Sequence, residues 1–451
     1  MTDTLGRRIA TSAPTRVHRD SSIDAIRVVL LVAVFALHAT MVGVSVGPDG
    51  PILQNALDGQ AWFGPVSWVV QIMPLFFIAG GFSSYRHWQS MRARGASSSE
   101  YVRARLERLV RPAIALVIVV AVAVIALTMS GMPADIVATA GFRIGQPLWF
   151  LGVYVATSAL VPLLVRAHER ARVLTPVALL AAVVSVDVVR MATGIDGIGF
   201  VNLLLVWLLV QQLGFWLADG GIDRVRRSTL GAVAAGSLAF LTVLTVIGPY
   251  DVDMLENLNP PTVCLVVLGI AQLALFQLVR PRLRDVTDGP DASRLVSAVG
   301  ERAMTVYLWH MPVLIALAGA SLVAESTFGV PLPEPLSLEW WATRPIWLTV
   351  AAMAVVPVAL AMGRFERGPR GSRREAGRPA LALPQGRSTV VDAACAVAGV
   401  AVLLIAGFGP IPALIALALL IISLRGSATL SRGRTASVSP GMKPSRTVRK
   451  M

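Results

Sequence analysis

SIDAIRVVLLVAVFALHAT, residues 22–40, is apolar enough to cross a bilayer, yet it carries Asp24 and Arg27 at its start and His38 well inside. An ionisable side chain at mid-bilayer costs several kcal/mol unless protein or water accommodates it, so a helix facing only lipid avoids such residues. Arg27 and His38 are eleven residues apart, close to three helical turns, so their side chains share nearly one stripe, separated by roughly 16 Å along the axis. Asp24 lies one turn before Arg27, within reach of an i,i+3 pair. The pattern describes a helix with a cation and a carboxylate at its mouth and an imidazole at depth.

The rest of the chain repeats the apolar theme. Its 451 residues are 55% hydrophobic, mean hydropathy is +0.68, and only 15% are charged, against about 25% in soluble domains. Apolar runs of spanning length fall near 26–47, 62–84, 112–130, 148–165, 173–191, 199–218, 229–248, 262–279, 303–324 and 345–363, with two more near 390–408 and 410–424. The predicted fold is an all-α polytopic transmembrane helix bundle of about twelve spans. The net charge of +14 does not form one patch, which argues against nucleic acid as a partner. The cations fall instead in alternate loops, and the intervening loops are acidic or nearly neutral. By the positive-inside rule this places both termini in the cytoplasm, and the membrane expected is the plasma membrane. Only Lys443 and Lys450 are lysines, and the Arg, Ala, Gly and Val bias suggests a bacterial genome of high GC content. Cys264 and Cys395 lie in separate apolar runs without a ligand-type spacing, so neither a disulfide framework nor a metal site is expected.

Composition shifts divide the chain into a basic cytoplasmic tail (1–20), a membrane core (21–363), a basic linker (364–389, RFERGPRGSRREAGRPALALPQGRST), an apolar hairpin that is transmembrane or re-entrant (390–424) and a second basic tail (425–451). No internal repeat stands out.

Four stretches join the first as candidates for chemistry. YVRARLERLVRP, residues 101–112, spaces Arg105, Arg108 and Arg111 three apart with Arg103 nearby, predicting one cationic helix side ended by Pro112. Guanidinium forks match phosphate, although topology signalling or anionic lipid explains the same charges. AMTVYLWHMPV, residues 303–313, places Tyr307 and His310 beside Trp309 near a membrane interface. QPLWFLGVY, residues 146–154, puts Gln146 and Trp149 at the opposite mouth, and MPLFFIAGGF, residues 73–82, suggests a bent, closely packed helix. Asp187 and Arg190 read as a structural ion pair, and His18, His87 and His168 as loop residues without a role.

Taken in order, IDAIR with its His, PLFFIAGGF, RARLERLVRP, PLWFLGVY and YLWHMPV resemble the acyltransferase 3 family of integral-membrane O-acyltransferases over residues 20–363. That family opens its first helix with Asp-x-x-Arg and a His eleven residues beyond. Phe-Phe-x-x-Ser-Gly-Phe follows in its second helix, and Arg-x-x-Arg comes before the third. The resemblance implies a ten-helix acyltransferase core, a catalytic His38 with Arg27 and Asp24 beside it, and an acyl-CoA donor held by Arg105 and Arg108 with Arg103 and Arg111 adjoining. Tyr307, His310 and Trp149 would line the substrate cavity. Two departures stand out: Gly80 replaces the family's Ser, and the usual Arg-Gly is absent because Val28 follows Arg27.

The expected activity is therefore transfer of an acetyl or other short acyl group from cytoplasmic acyl-CoA to a hydroxyl of a sugar, glycan or small molecule, without a metal. A proton-coupled transporter or flippase is the rival, since an intramembrane His and Arg also suit a carrier. Against it, no matched pair of broken helices is visible in the sequence. A pocket that binds acyl-CoA without turnover is a weaker third reading, and the terminal hairpin has no assigned function.

Overall fold

The computed structural model describes residues 20–48, 50–366 and 388–435; the basic segments 1–19, 367–387 and 436–451 lie outside them. In chain order the elements are α1 (Ser21–Met41), the hairpin β1 (Val42–Gly47) and β2 (Gly50–Asn55), α2 (Phe63–Val70), α3 (Met73–Ala93), α4 (Ser98–Met129), α5 (Ala134–Gly145) and α6 (Leu148–Arg170). They continue with α7 (Leu174–Thr193), α8 (Asp196–Gly199), α9 (Asn202–Ala218), α10 (Arg227–Thr242) with a π-helical turn (Val243–Ile247) after it, α11 (Val263–Thr287), α12 (Pro290–Gly300), α13 (Ala303–Phe328), α14 (Leu338–Glu366), α15 (Thr389–Ala406) and α16 (Pro410–Thr435). Eleven helical segments among the described residues are long and apolar enough to cross a membrane, and Pro410–Leu424 adds a shorter apolar stretch. The chain is an all-α multi-pass membrane bundle.

Several predicted boundaries move for physical reasons. The first span is expected to reach residue 47, but α1 stops at Met41 and Val42–Gly47 pairs antiparallel with Gly50–Asn55. VGVSVG has the alternation and β-branching of a strand, which a hydropathy window cannot distinguish from helix. α4 begins at Ser98 rather than near 112, because Ser97 and Glu100 form a capping box: Glu100 N donates to Ser97 Oγ at 3.2 Å and Ser97 N donates to a Glu100 carboxylate oxygen at 2.7 Å. The helix runs on through Pro112, which therefore does not end the arginine segment: that segment and the apolar span form one helix. α14 reaches Glu366, and α16 continues past 424 to Thr435.

Two spans are interrupted beside the cavity, a feature the sequence does not reveal. α2 and α3 are separated at Gln71–Ile72, and α5 and α6 at Gln146–Pro147. Backbone groups freed inside a membrane bundle must find protein partners. At the first break Gln272 of α11 supplies both: its Nε2 donates to Gln71 O at 2.7 Å and its Oε1 accepts from Leu75 N at 3.0 Å. At the second, the Tyr307 hydroxyl donates to Pro147 O.

The hydrogen bonds between helix ends sort them into two faces. On an Arg-rich face Asp20 meets Arg280 and Arg284, Arg92 meets Glu169, His168 meets Asp219, and Thr305 meets Glu366. On the opposite face Trp68 Nε1 donates to Val252 O, Gln71 Nε2 to Met254 O and Trp347 Nε1 to Ala39 O. The alternation of basic and non-basic loops thus corresponds to an up-and-down arrangement of helices.

α3 and α9 cross closely because each contributes a glycine. A Cβ on Gly81 would sit 2.4 Å from Gln211 O, and one on Gly214 would sit 2.2 Å from Ile78 O. Beside the crossing, Phe77 stacks on Trp207 with centroids 4.4 Å apart. The terminal helices α15 and α16 dock on α4 and α6, where Val400, Leu403 and Phe408 join the buried cluster that contains Leu116, Leu151 and Val155. They are packed against the core and do not stand apart from it.

The expected Asp187–Arg190 pair is replaced by other partners. Asp187 is buried and accepts from Asn202 Nδ2 at 2.9 Å, Tyr250 OH at 3.0 Å and Val263 N at 2.9 Å. Arg190 instead approaches Asp196 at 3.8 Å. A buried carboxylate needs several donors, and the neighbouring helices supply them.

Candidate active site

One cavity of about 660 Å³ runs through the centre of the bundle. At the Arg-rich face it is lined by Asp20, Asp24, Arg27, Arg86, His87, Arg105, Arg108 and Glu366; midway come His38, Phe76, Trp149, Phe150, Tyr154 and Tyr307. At the other end it reaches Gln71, Leu255 and Leu258. Both interrupted spans contribute to its wall through Gln71, Ile72 and Pro147.

α1 places its three functional candidates as helix geometry requires, with Asp24, Arg27 and His38 all on the cavity wall. Its lower end is clamped: Arg280 Nη2 and Arg284 Nη2 donate to Asp20 Oδ2 at 2.8 and 2.6 Å, and Asp20 caps the helix by accepting from Ser22 N. Burial alone would raise the Asp20 pKa, but hydrogen bonds from Arg284, Ser22 and Arg280 hold the carboxyl well below the ordinary range. On the far side, burial and the nearby Asp253, Asp58 and Asp251 push the Glu256 carboxyl up.

Of the four arginines expected at the donor site, two line the cavity and two do not. Arg105 donates through Nε to Tyr101 OH at 3.2 Å and through Nη2 to Ser84 Oγ at 3.3 Å, with its guanidinium over the Tyr101 ring. Arg108 is the second. Arg111 turns away to pair with Glu107 at 3.0 Å, and Arg103 is likewise off the wall. A spacing of three falls about 60° behind the helical repeat at each step, so a run of three such residues drifts round the helix instead of sharing a side.

The substrate-cavity candidates divide similarly. Trp149 and Tyr307 line the space, although the Tyr307 hydroxyl is committed to Pro147 O. His310 does not line it. His310 is 1% exposed and stands behind half-buried His38, with its Nε2 at 2.7 Å from His38 Nδ1.

Sequence reading missed Arg86, His87 and Glu366. Arg86 and His87 belong to α3, whose Ser83–Ala93 segment has no breaker and could have been read as continuing helix. Glu366 accepts from Thr305 N at 3.2 Å and Thr305 Oγ1 at 2.7 Å, bonding the start of α13, and no motif marked it. His168 is no loop residue either: it is buried on α6 between Gln212 at 3.2 Å and Asp219 at 2.9 Å. The Gly80 departure has a local reason, since a Cβ there would meet Tyr154 Cε2 at 3.2 Å.

The site is therefore an internal histidine in a multi-pass bundle, with an arginine-lined mouth leading to it. The acyltransferase domain of the acyltransferase 3 family matches residues 20–364. The chain belongs to that family and is a membrane acyltransferase. No curated protein and no solved structure matches it.

Proposed function

We propose that the protein transfers an acetyl or other short acyl group from cytoplasmic acyl-CoA to a hydroxyl of a sugar, glycan or small-molecule acceptor. The observation that carries this reading is the single cavity joining Arg105 and Arg108 to His38 and continuing to Gln71, Leu255 and Leu258. Two substrates that approach from opposite faces need such a passage, with the reactive group between them.

In this reading the Arg-rich face is cytoplasmic and both termini lie there, in a bacterial plasma membrane. The phosphates of the donor meet Arg86, Arg105 and Arg108, where charge-assisted bonds to guanidinium are strong and directional. The pantetheine arm follows α1 past Arg27, whose charge guards the mouth beside Asp24. It brings the thioester towards His38, about 16 Å further along the axis. The acceptor hydroxyl gives its proton to His38 as its oxygen forms a bond to the thioester carbonyl carbon. The C–S bond then breaks, and the leaving thiolate takes the proton from His38. An imidazole is suited to both transfers near neutral pH.

A proton-coupled transporter or flippase is the second reading, favoured by the two interrupted spans beside the cavity. Purified protein in nanodiscs separates them. Radiolabelled acetyl-CoA should bind and be slowly hydrolysed, and His38→Ala should keep binding while losing hydrolysis. Wild type that neither binds nor cleaves short or longer acyl donors would leave the transporter reading ahead.

A further inference from the structure

We infer that His310 is the positioning residue for His38: it decides which imidazole nitrogen carries the proton and which is left to act as base. The inference rests on the acyl-transfer reading and adds a residue that lies outside the cavity.

The chain of atoms leaves little freedom. The Tyr307 carbonyl oxygen can only accept, and it lies 2.6 Å from His310 Nδ1. Nδ1 of His310 therefore bears a hydrogen, and in the neutral ring Nε2 presents a lone pair. That lone pair faces His38 Nδ1 at 2.7 Å. A nitrogen–nitrogen contact of this length needs one hydrogen between the two, and it must belong to His38 Nδ1. The neutral His38 ring is then left with its lone pair on Nε2. Among the described residues no other hydrogen bond engages the His38 ring, and His38 is on the cavity wall.

The ring geometry agrees. The two imidazole planes are 6° from parallel with centroids 5.0 Å apart. Parallel rings can bring two nitrogens to hydrogen-bond distance at that centroid separation only when they lie edge to edge, which points the N–H at the partner lone pair. A face-to-face stack would not. The assignment of the protons also fits the surroundings. Among the described residues neither ring forms an ion pair with a carboxylate, and His310 is 1% exposed on a stretch of α13 where Leu308, Met311 and Leu314 are buried as well. An unpaired charge is costly there, whereas two neutral rings joined by one hydrogen bond are not.

The consequence is a hydrogen-bonded relay with a neutral acceptor in the position where other histidine bases have a carboxylate. When His38 Nε2 takes the acceptor's proton, its Nδ1–H bond to His310 becomes charge-assisted and shorter. His310 thereby steadies the imidazolium while its own Nδ1 remains anchored to the backbone of α13. Removing it frees the His38 ring to rotate and to place its proton on Nε2, where the lone pair no longer meets the substrate. Loss of tautomer control in a serine protease triad costs about 10⁴ in turnover, and a neutral partner should contribute less.

The test compares His310→Leu, His310→Gln and His38→Ala in nanodiscs, with nitrogen NMR of labelled histidine. Five histidines in the chain make the assignment tractable. His310→Leu should lower kcat about 100-fold, within the range of general-base contributions, and leave the donor KM unchanged. His310→Gln, whose side-chain oxygen can accept from His38 Nδ1, should recover most of the rate. Spectra should show the His38 proton on Nδ1 in the wild type and on Nε2 in His310→Leu. A wild-type His38 protonated on Nε2 overturns the assignment, even where the Leu variant does not fold. So does a Leu variant with full kcat, or a Gln variant as inactive as His38→Ala. Retained thioester cleavage in His38→Ala would instead remove the acyl-transfer reading, so the two failures are distinct.

Discussion

At the Arg-rich mouth of the cavity, Arg86, Arg105 and Arg108 face the same space as Asp20, Asp24 and Glu366, and Arg105 leans on Tyr101 and Ser84. In the last turn of α1, His38 meets His310, which is buried on α13. The first region is built from many charges that act at a distance and substitute for one another. The second is built from a single hydrogen bond whose direction matters. In the proposed reading, a mouth of the first kind tolerates the loss of one member at some cost in donor affinity. A centre of the second kind fails when one atom is misplaced, since proton transfer requires contact at hydrogen-bond distance.

The sharpest expected contrast is in His38→Ala. Turnover should fall by about 10³, within the range of general acid–base contributions, while acetyl-CoA binding by filtration or calorimetry stays at the wild-type level. A variant that loses binding as well would erase the distinction between the two regions. Next comes Arg105→Ala combined with Arg108→Ala. Donor affinity should weaken by roughly 10- to 100-fold, as expected from losing hydrogen bonds to charged groups, with a smaller change in kcat. Added salt should weaken the wild type more than the variant. Normal binding in the double variant would show that the coenzyme sits elsewhere.

A smaller effect is expected where the mouth is anchored. Asp20→Asn should lower stability by about 1–2 kcal/mol, because Arg280 loses one of two carboxylate partners and keeps Asp223. The sign of the pH dependence follows from the depressed Asp20 carboxyl. Its contribution is complete above the unfolded carboxylate pKa of about 3.9 and is lost as pH falls below that towards the folded value. Thermal unfolding in detergent should therefore show the wild type and the variant converging in acid and separated at neutral pH. Smallest of all is Gly80→Ser, which restores the family's residue against Tyr154 Cε2. The tight contact should cost about 1 kcal/mol, the low end for an overpacked site, seen as a slight shift in unfolding temperature and a KM change of only a few-fold.

Legibility followed the covalent chain. Along one helix, rise and twist convert spacing into position, so Asp24, Arg27 and His38 could be placed on one wall without knowing any neighbour. The same rule applied loosely to Arg103, Arg105, Arg108 and Arg111 overestimated the shared face. Hydropathy found most spans but not the breaks at Gln71 and Gln146, because a window averages over the few residues that interrupt a helix. The strand character of Val42–Gly47 was hidden for the same reason.

By itself, then, the sequence determined a multi-pass helical membrane protein, its alternation of basic loops, its family and the histidine at depth. Only the tertiary structure decided what that histidine touches. His310 is 272 residues away in the chain, and Arg86, His87 and Glu366 come to the cavity on two further helices. Such meetings depend on how closely helices approach, which Gly81 and Gly214 set at the α3–α9 crossing and Gln272 at the first break. Spacing along a chain fixes the face that a residue occupies on its own helix. Which other face it meets is settled by packing among all the helices at once.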